Sequence, residues 1–284
     1  MLTPLHTDLS ITDLLQGDLQ LASPPCLYFE LKNTIENPSK SLVDAGKIIE
    51  KDPGLSARLL KIVNSAFYGF PAQIATISHA ITIIGVQELE NLVLGTLVID
   101  KFSSLPNGLI SMQEFWGNSL RCALIAKEIS TYQQDLTESE TLFICGLLHE
   151  IGLLVFYRRI PALAREVGLL IESTETEEIQ AEQKLIGFDH YQTGAELARL
   201  WKLPEVIAST IRYHQAPSEA AAYARQARII KQASVMVKNG RIFDAETFEI
   251  NRDFAEYSLA DLSTISQQAS TKFDEIFKLF YPAN

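Results

Sequence analysis

Apolar residues recur at three- and four-residue spacing along nearly the whole chain, the signature of amphipathic helices. Leu9, Ile11, Leu14, Leu15 and Leu19 predict a short lead-in helix over residues 7–20. Ser23-Pro24-Pro25 breaks it, and a helix through Tyr28, Leu31 and Ile35 follows. Asn37-Pro38-Ser39 reads as a turn, after which Ser39 is placed to cap a helix carrying Leu42, Val43, Ile48 and Ile49. Asp52-Pro53 opens the next: Asp at the N-cap accepts backbone amides, and Pro at the first position lacks only a donor the helix does not need. Its apolar face is Leu55, Leu59, Leu60, Ile62 and Val63. Asn64 to Gly69 reads as a helix stop with buried aromatics. Ile74, Ile77, Ala80, Ile81 and Ile84 predict a helix that ends at Gly85, with His79 off the stripe and at the surface. A helix from Val86 to about Phe102 turns Leu89, Leu92, Val93, Leu97 and Val98 inward.

Ser103 to Gly108 is a Pro/Gly turn and the expected subdomain junction, which extends to Ser111. Beyond it, Phe115, Trp116, Leu120, Ala123, Leu124 and Ile129 share a helix face. The run Thr141 to Gly152 is apolar on nearly all sides and predicts a core helix carrying His149 and Glu150. Ile160 to Ile171 is helical, and the Glu- and Thr-rich residues 172–182 begin exposed. Phe188-Asp189-His190 opens a helix through Trp201, and Leu203-Pro204-Glu205 opens another that reaches Tyr213-His214. Ala220 to Lys238 predicts an Ala-rich helix stopped by Asn239-Gly240, and an amphipathic helix from about Leu259 to Phe280 closes the pattern. There is no strand–helix alternation, no Gly-rich phosphate loop and no clean repeat. The fold class is therefore all-α, with an N-terminal helical subdomain over residues 1–104 and a second over 105–284.

Composition narrows the partners. A hydrophobic content of 47% supports a sizeable core, and a formal net charge of −11 disfavours nucleic acid and anionic membrane. The arginines and lysines at 158, 159, 165, 225, 228, 231, 238 and 241 fall at helical intervals and read as solvated helix faces. No run resembles a membrane span, because the apolar stretches are short and interrupted by Glu, Asp, Asn or His. The first residues lack the basic start and apolar run of a signal peptide. Three cysteines without paired spacing suit a reducing cytoplasm, and Cys122 and Cys145 lie in apolar helical patterns as core residues.

The chemical question is His149-Glu150. A buried carboxylate beside an imidazole is costly unless it is paired, hydrogen-bonded or metal-bound. His190 and His214 lie on or next to later helices, and imidazoles with a carboxylate suit a first-row divalent metal. The spacings are long and irregular, so they do not by themselves show that the four converge. The plainer reading is that His149 and Glu150 bond each other or helix termini.

Several ordered motifs resemble the HDOD family. They are Asp52 to Ser65 (Asp-Pro-Gly-Leu-Ser-Ala-Arg-Leu-Leu-Lys-Ile-Val-Asn-Ser), Ile77 to Gly85, Gly146 to Gly152, Asp189-His190 to Gly194, and Trp201-Lys202-Leu203-Pro204. The resemblance covers about residues 20–215. It implies an HD-domain-like multi-helix bundle, similar to the metal-dependent phosphohydrolases that include cyclic di-GMP phosphodiesterases. It also implies a bacterial signalling role in which the metal-binding set is generally incomplete. The HD pattern wants a His, then an adjacent His-Asp pair, then a later Asp. On this chain those places fall at Asn118, at His149-Glu150 and near Ser234. Asn118 offers a neutral amide oxygen, Glu150 keeps the charge but adds a methylene, and Ser234 contributes no charge.

The resemblance therefore implies a vestigial site of Asn118, His149, Glu150 and Ser234, with no catalytic residue and no resident cofactor. His149, Glu150, His190 and His214 are the candidates should a divalent metal bind. The expected function is non-catalytic signal transduction, as a protein-interaction or ligand-sensing module in the cytoplasm. Its partners would be signalling proteins or a small nucleotide, not nucleic acid or membrane. The alternative is a divergent metal-dependent phosphohydrolase built on the same four residues.

Overall fold

The computed structural model describes residues 9–16, 18, 21, 23–103, 110–135, 139–174, 176–238, 241–242 and 252–281. The described residues form an all-α protein. The exception is a two-residue antiparallel pair, Val237–Lys238 with Arg241–Ile242, where the pattern predicted none.

Contacts divide the chain into two compact units, one of residues 1–24, 105–112 and 148–231, the other of 25–104, 113–147 and 232–284. This partition differs from the single cut between residues 104 and 105 expected from the sequence. Residues 104–109 of that junction lie outside the described residues. Apolar faces far apart in the chain are complementary, so the second unit draws its core from three separate stretches.

The second unit begins with α2 (Cys26–Glu36), α3 (Leu42–Glu50), α4 (Pro53–Val63), α5 (Ile77–Ile84) and α6 (Val86–Phe102), and α1 (Ile11–Gln16) belongs to the first unit. The Asp52 carboxylate accepts from Leu55 N at 2.9 Å and caps α4. The cap of α3 is Ser41, not Ser39. Ser41 and Asp44 satisfy each other's backbone amides, whereas the Ser39 hydroxyl donates to Asn37 Oδ1 at 2.7 Å. Thr76 caps α5, and Gly85, at φ 86°, turns the chain directly into α6. His79 is exposed, as its place off the apolar stripe predicts.

Next come α7 (Met112–Tyr132), which starts at the edge of the first unit, and α8 (Ser139–Leu148). A Cβ on Gly146 would lie 2.7 Å from Ala123 Cα, so α7 and α8 meet backbone to backbone. Leu59, Val93, Leu124 and Phe143 fill the core around them. Cys122 and Cys145 are buried, Cys26 is exposed, and all three are free.

The first unit holds α9 (Ile151–Arg159), α10 (Pro161–Thr174), α11 (Glu178–Leu185), α12 (His190–Leu200) and α13 (Glu205–Tyr213). A 3₁₀ segment, Pro217–Tyr223, follows. The Ala-rich helix then begins only at α14 (Ala224–Met236), later than predicted, because Ala221 (φ 48°, ψ −112°) kinks the chain. Its predicted stop at Asn239-Gly240 lies outside the described residues. Within this unit α12 packs on both α9 and α13, and α10 packs on α11. Among the described residues the lead-in helix is α1, with Leu19 outside them. In the second unit the closing helix, α15 (Leu259–Phe280), is capped by Ser258 with Asp261 and packs on α4 and α6.

By length and composition the run Ser139–Arg159 would reach across a membrane, but 78% of its apolar window is buried inside the protein.

Candidate functional site

The continuous helix predicted through His149 does not form. Helix α8 ends at Leu148, His149 and Glu150 make a turn, and α9 starts at Ile151. Glu150 sits at φ −104°, ψ 13°, the bridge conformation between helix and strand that recurs at functional positions. The break turns its carboxylate toward the faces of α12 and α13.

Two glycines bring those faces close. A Cβ on Gly152 would lie 1.8 Å from the His190 carbonyl oxygen, and a Cβ on Gly194 would lie 3.0 Å from Gly152 N. Helices α9 and α12 therefore cross at main-chain distance, which sets the first residue of α12, His190, beside Glu150. Asp189 fixes where α12 begins. Its side chain accepts from Gln192 N at 2.7 Å, and Gln192 Oε1 accepts from Asp189 N at 3.0 Å.

Within this unit the three histidines among the metal candidates read from the sequence each approach the fourth, the Glu150 carboxylate. His190 Nε2 lies 2.7 Å from Oε2. His149 Nε2 lies 3.5 Å and His214 Nε2 3.7 Å from Oε1. His190 and His214 have no exposed surface, His149 is 6% exposed, and the Glu150 side chain is 23% exposed. The Tyr191 ring packs against His190 and His214, with centroids 4.0 and 4.5 Å away. Of the expected vestigial set, Asn118 and Ser234 fall in the other unit, where the Asn118 amide oxygen is buried without a hydrogen bond.

The periodicity did not single out Glu182, Glu178 or Tyr191. Glu182, 1% exposed, holds His190 from the far side: both carboxylate oxygens lie 2.8 Å from Nδ1, and one accepts His190 N at 3.0 Å. The sequence signal was the i, i+4 pair Glu178 and Glu182 on the helix just before Asp189-His190. Burial pulls the His190 imidazole down, but the Glu150 and Glu182 carboxylates overcome it and hold it well above the ordinary value. Burial pushes Glu150 up, and the neighbouring imidazoles, His190 foremost, bring it well below the usual carboxylate range. The Tyr157 and Tyr191 hydroxyls are pushed up, first by burial and then by the negative charge of these glutamates.

A single cation would need the donor atoms gathered around one point. His190 Nδ1 faces a carboxylate and His214 Nδ1 faces the Ile211 carbonyl at 3.1 Å, groups that can only accept. Each Nδ1 therefore carries a proton, and in the neutral ring the lone pair is at Nε2. Both Nε2 atoms are buried without an aligned hydrogen bond, and both face Glu150. A carboxylate faced by lone pairs requires positive charge between them, carried by a proton or a cation. Ligands about 2.0–2.1 Å from a tetrahedral ion stand about 3.3 Å from one another. The separations of 2.7, 3.5 and 3.7 Å are to Oε2 for His190 and to Oε1 for His149 and His214, so they describe three pairs and not one coordination sphere. Among the described residues, the group whose ligand atoms all lie within 4.8 Å of one another is Glu178, Glu182 and His190, and the set around Glu150 is not. In that group His190 Nδ1 already shares its proton with Glu182.

Comparison with known proteins places this geometry. The HDOD domain family matches residues 21–217. An uncharacterized protein of Treponema pallidum (strain Nichols) is 31% identical over 214 residues, which is 72% of this chain. The match spans only 39% of that relative's length. A crystal structure from Shewanella amazonensis SB2B, provisionally named a phosphohydrolase, is 26% identical with a TM-score of 0.72, covering 94% of this chain and 97% of that one. An HDOD domain protein of unknown function from Geobacter sulfurreducens shares the fold at 22% identity and a TM-score of 0.69, covering 95% and 90%.

Proposed function

The chain belongs to the HDOD domain family, and from that premise we propose that it is a non-catalytic regulatory module of bacterial signal transduction. It works in the cytoplasm by binding a protein partner or a small ligand. The observation that carries this reading is the enclosure of His190 and His214, whose side chains have no exposed surface. A hydrolase must bring its phosphodiester to an open coordination position with an activated water. Here solvent reaches the cluster chiefly through the edge of Glu150. The resemblance adds that Asn118 and Ser234 stand where an imidazole and a carboxylate would complete the catalytic set.

A second reading, a divergent metal-dependent phosphohydrolase, is favoured by one observation: the buried Nε2 atoms of His190 and His214 aimed at Glu150. In that case Glu150, His190 and His214, with His149, would hold the ion. The ion would supply Lewis acidity and a water of lowered pKa.

Turnover separates the two readings. Purified protein supplied in turn with manganese, iron, nickel and zinc is expected to leave cyclic dinucleotides, nucleoside monophosphates and a generic phosphodiester intact by chromatography. Hydrolysis that His149→Ala abolishes would establish the hydrolase instead. A pull-down from the native cell is expected to retrieve a signalling protein, and retrieval of none would favour the small-ligand form of the module.

A further inference from the structure

We propose that the cavity where the C-terminal ends of α4 and α15 meet is a binding site for a small phosphate monoester, held by the ammonium groups of Lys61 and Lys278. The inference rests on the ligand-sensing form of the reading above, and names a ligand class and a place away from the histidines.

The cavity measures about 550 Å³ and is lined by Lys61, Asn64, Glu275, Lys278 and Leu279, all of the second unit. Small-molecule sites span about 300–1,000 Å³. Lys61 and Lys278 each lie in the last turn of their helix, where the helix dipole favours a cation. The dipole accounts for each lysine alone, but not for two that open on one cavity. Nor does the end of α4 need Lys61 as a cap. The Asn64 side chain donates to Leu60 O at 2.7 Å, and the Ser65 hydroxyl donates to Ile62 O at 2.6 Å. Among the described residues neither lysine has an ion pair, whereas Lys51, Arg58, Lys127 and Lys272 of the same unit each meet a carboxylate. Two cations left unneutralised at one place are unusual in a chain of net charge −11. The wall is formed in advance. Asn64 also donates to Ile74 O at 2.8 Å and accepts from Ile74 N at 2.7 Å, which folds residues 65–73 back onto the end of α4. Glu275 reaches from α15 and accepts from Ala66 N at 3.2 Å through Oε2. A phosphate monoester carries about two negative charges at neutral pH and three terminal oxygens. That matches two ammonium groups, where a carboxylate brings one charge. Glu275 Oε1 can accept a hydroxyl of the organic part, and Leu279 gives that part an apolar wall.

Glycerol 3-phosphate and adenosine monophosphate are the probes, with inorganic phosphate and an oligoglutamate peptide beside them. In the deuterated full chain, amide resonances of residues 61–66 and 275–279 are expected to shift saturably with at least one ester, and less at high salt. Lys61→Glu and Lys278→Glu are each expected to bind that ester about tenfold or more weakly, since each removes a charge-assisted hydrogen bond. Their Tm should not change, because both side chains are exposed. Glu275→Gln removes a negative charge but keeps an acceptor for Ala66 N, and is expected to bind the ester more tightly. No saturable shift with either ester, shifts confined to other residues, or affinity unchanged in both lysine variants overturns the site. Equal affinity for inorganic phosphate overturns the monoester assignment, and binding of oligoglutamate alone overturns it in favour of an acidic protein partner. A bound ester that is also hydrolysed would sink the regulatory reading and leave the site standing. Failure of the site while a signalling protein is retrieved from the cell would leave the regulatory reading standing.

Discussion

At the scale of single residues, the strongest local statements concern helix caps, whose physics spans three or four positions. The Asp44 carboxyl is held down to about 2 by the Ser41 backbone and hydroxyl hydrogen bonds. Because its folded value lies below the unfolded value of 3.8, the stabilisation is complete above that pH and is lost as pH falls through about 2. A carbon-13 titration of Asp44 is expected to show that low midpoint, and Ser41→Ala to return it toward the ordinary value; no movement in Ser41→Ala would contradict the cap. Asp52→Ala should cost about 1 kcal/mol in chemical denaturation. Leu59→Ala, at a position with no exposed surface, should cost about 2–5 kcal/mol. The Asp52 cap, the inward Leu59 and the outward His79 were legible in the sequence because each depends on near neighbours. The roles of Glu182 and Ser41 were not. Glu182 acts on a residue eight positions later across a turn, and Ser41 competes with Ser39 for the same cap on composition alone.

At the scale of elements, the site is a matter of main-chain approach. The Gly152 Cβ position lies inside the His190 carbonyl, so Gly152→Ala must push α9 and α12 apart. Overpacking costs about 1–3 kcal/mol, and more where the obstacle is backbone, so this variant should fall at or beyond the top of that range in thermal or chemical melts. Gly194→Ala should cost less, since its first obstacle is the Ile211 side chain at 2.9 Å, which can shift. A neutral Gly152→Ala would show that the helices do not cross as described. The helices α8 and α12 were plain in the periodicity, but the break after α8 and the separate helix α9 were not. Apolar residues continue without pause across His149-Glu150, and only tertiary packing interrupts the helix there. That missed break is what aims Glu150, so the approach of His149, His190 and His214 to it was hidden as well.

At the scale of the whole molecule, a net charge of −11 predicts no shift of duplex DNA in a gel at physiological salt, and a clear shift there would contradict the expected partners. The all-α class was legible because periodicity accumulates over many windows. The division into units was not, because it depends on which distant faces match. The interleaved second unit also has a consequence in time. Phe280, with no exposed surface, packs its ring 5.9 Å from Phe143. The stretch that carries it leaves the ribosome after α2 to α6 are already out. At about 5–20 residues per second, α4 waits roughly 10–40 s for α15. Until then, the surface that α15 covers on α4 and α6 is open to whatever binds nascent chains.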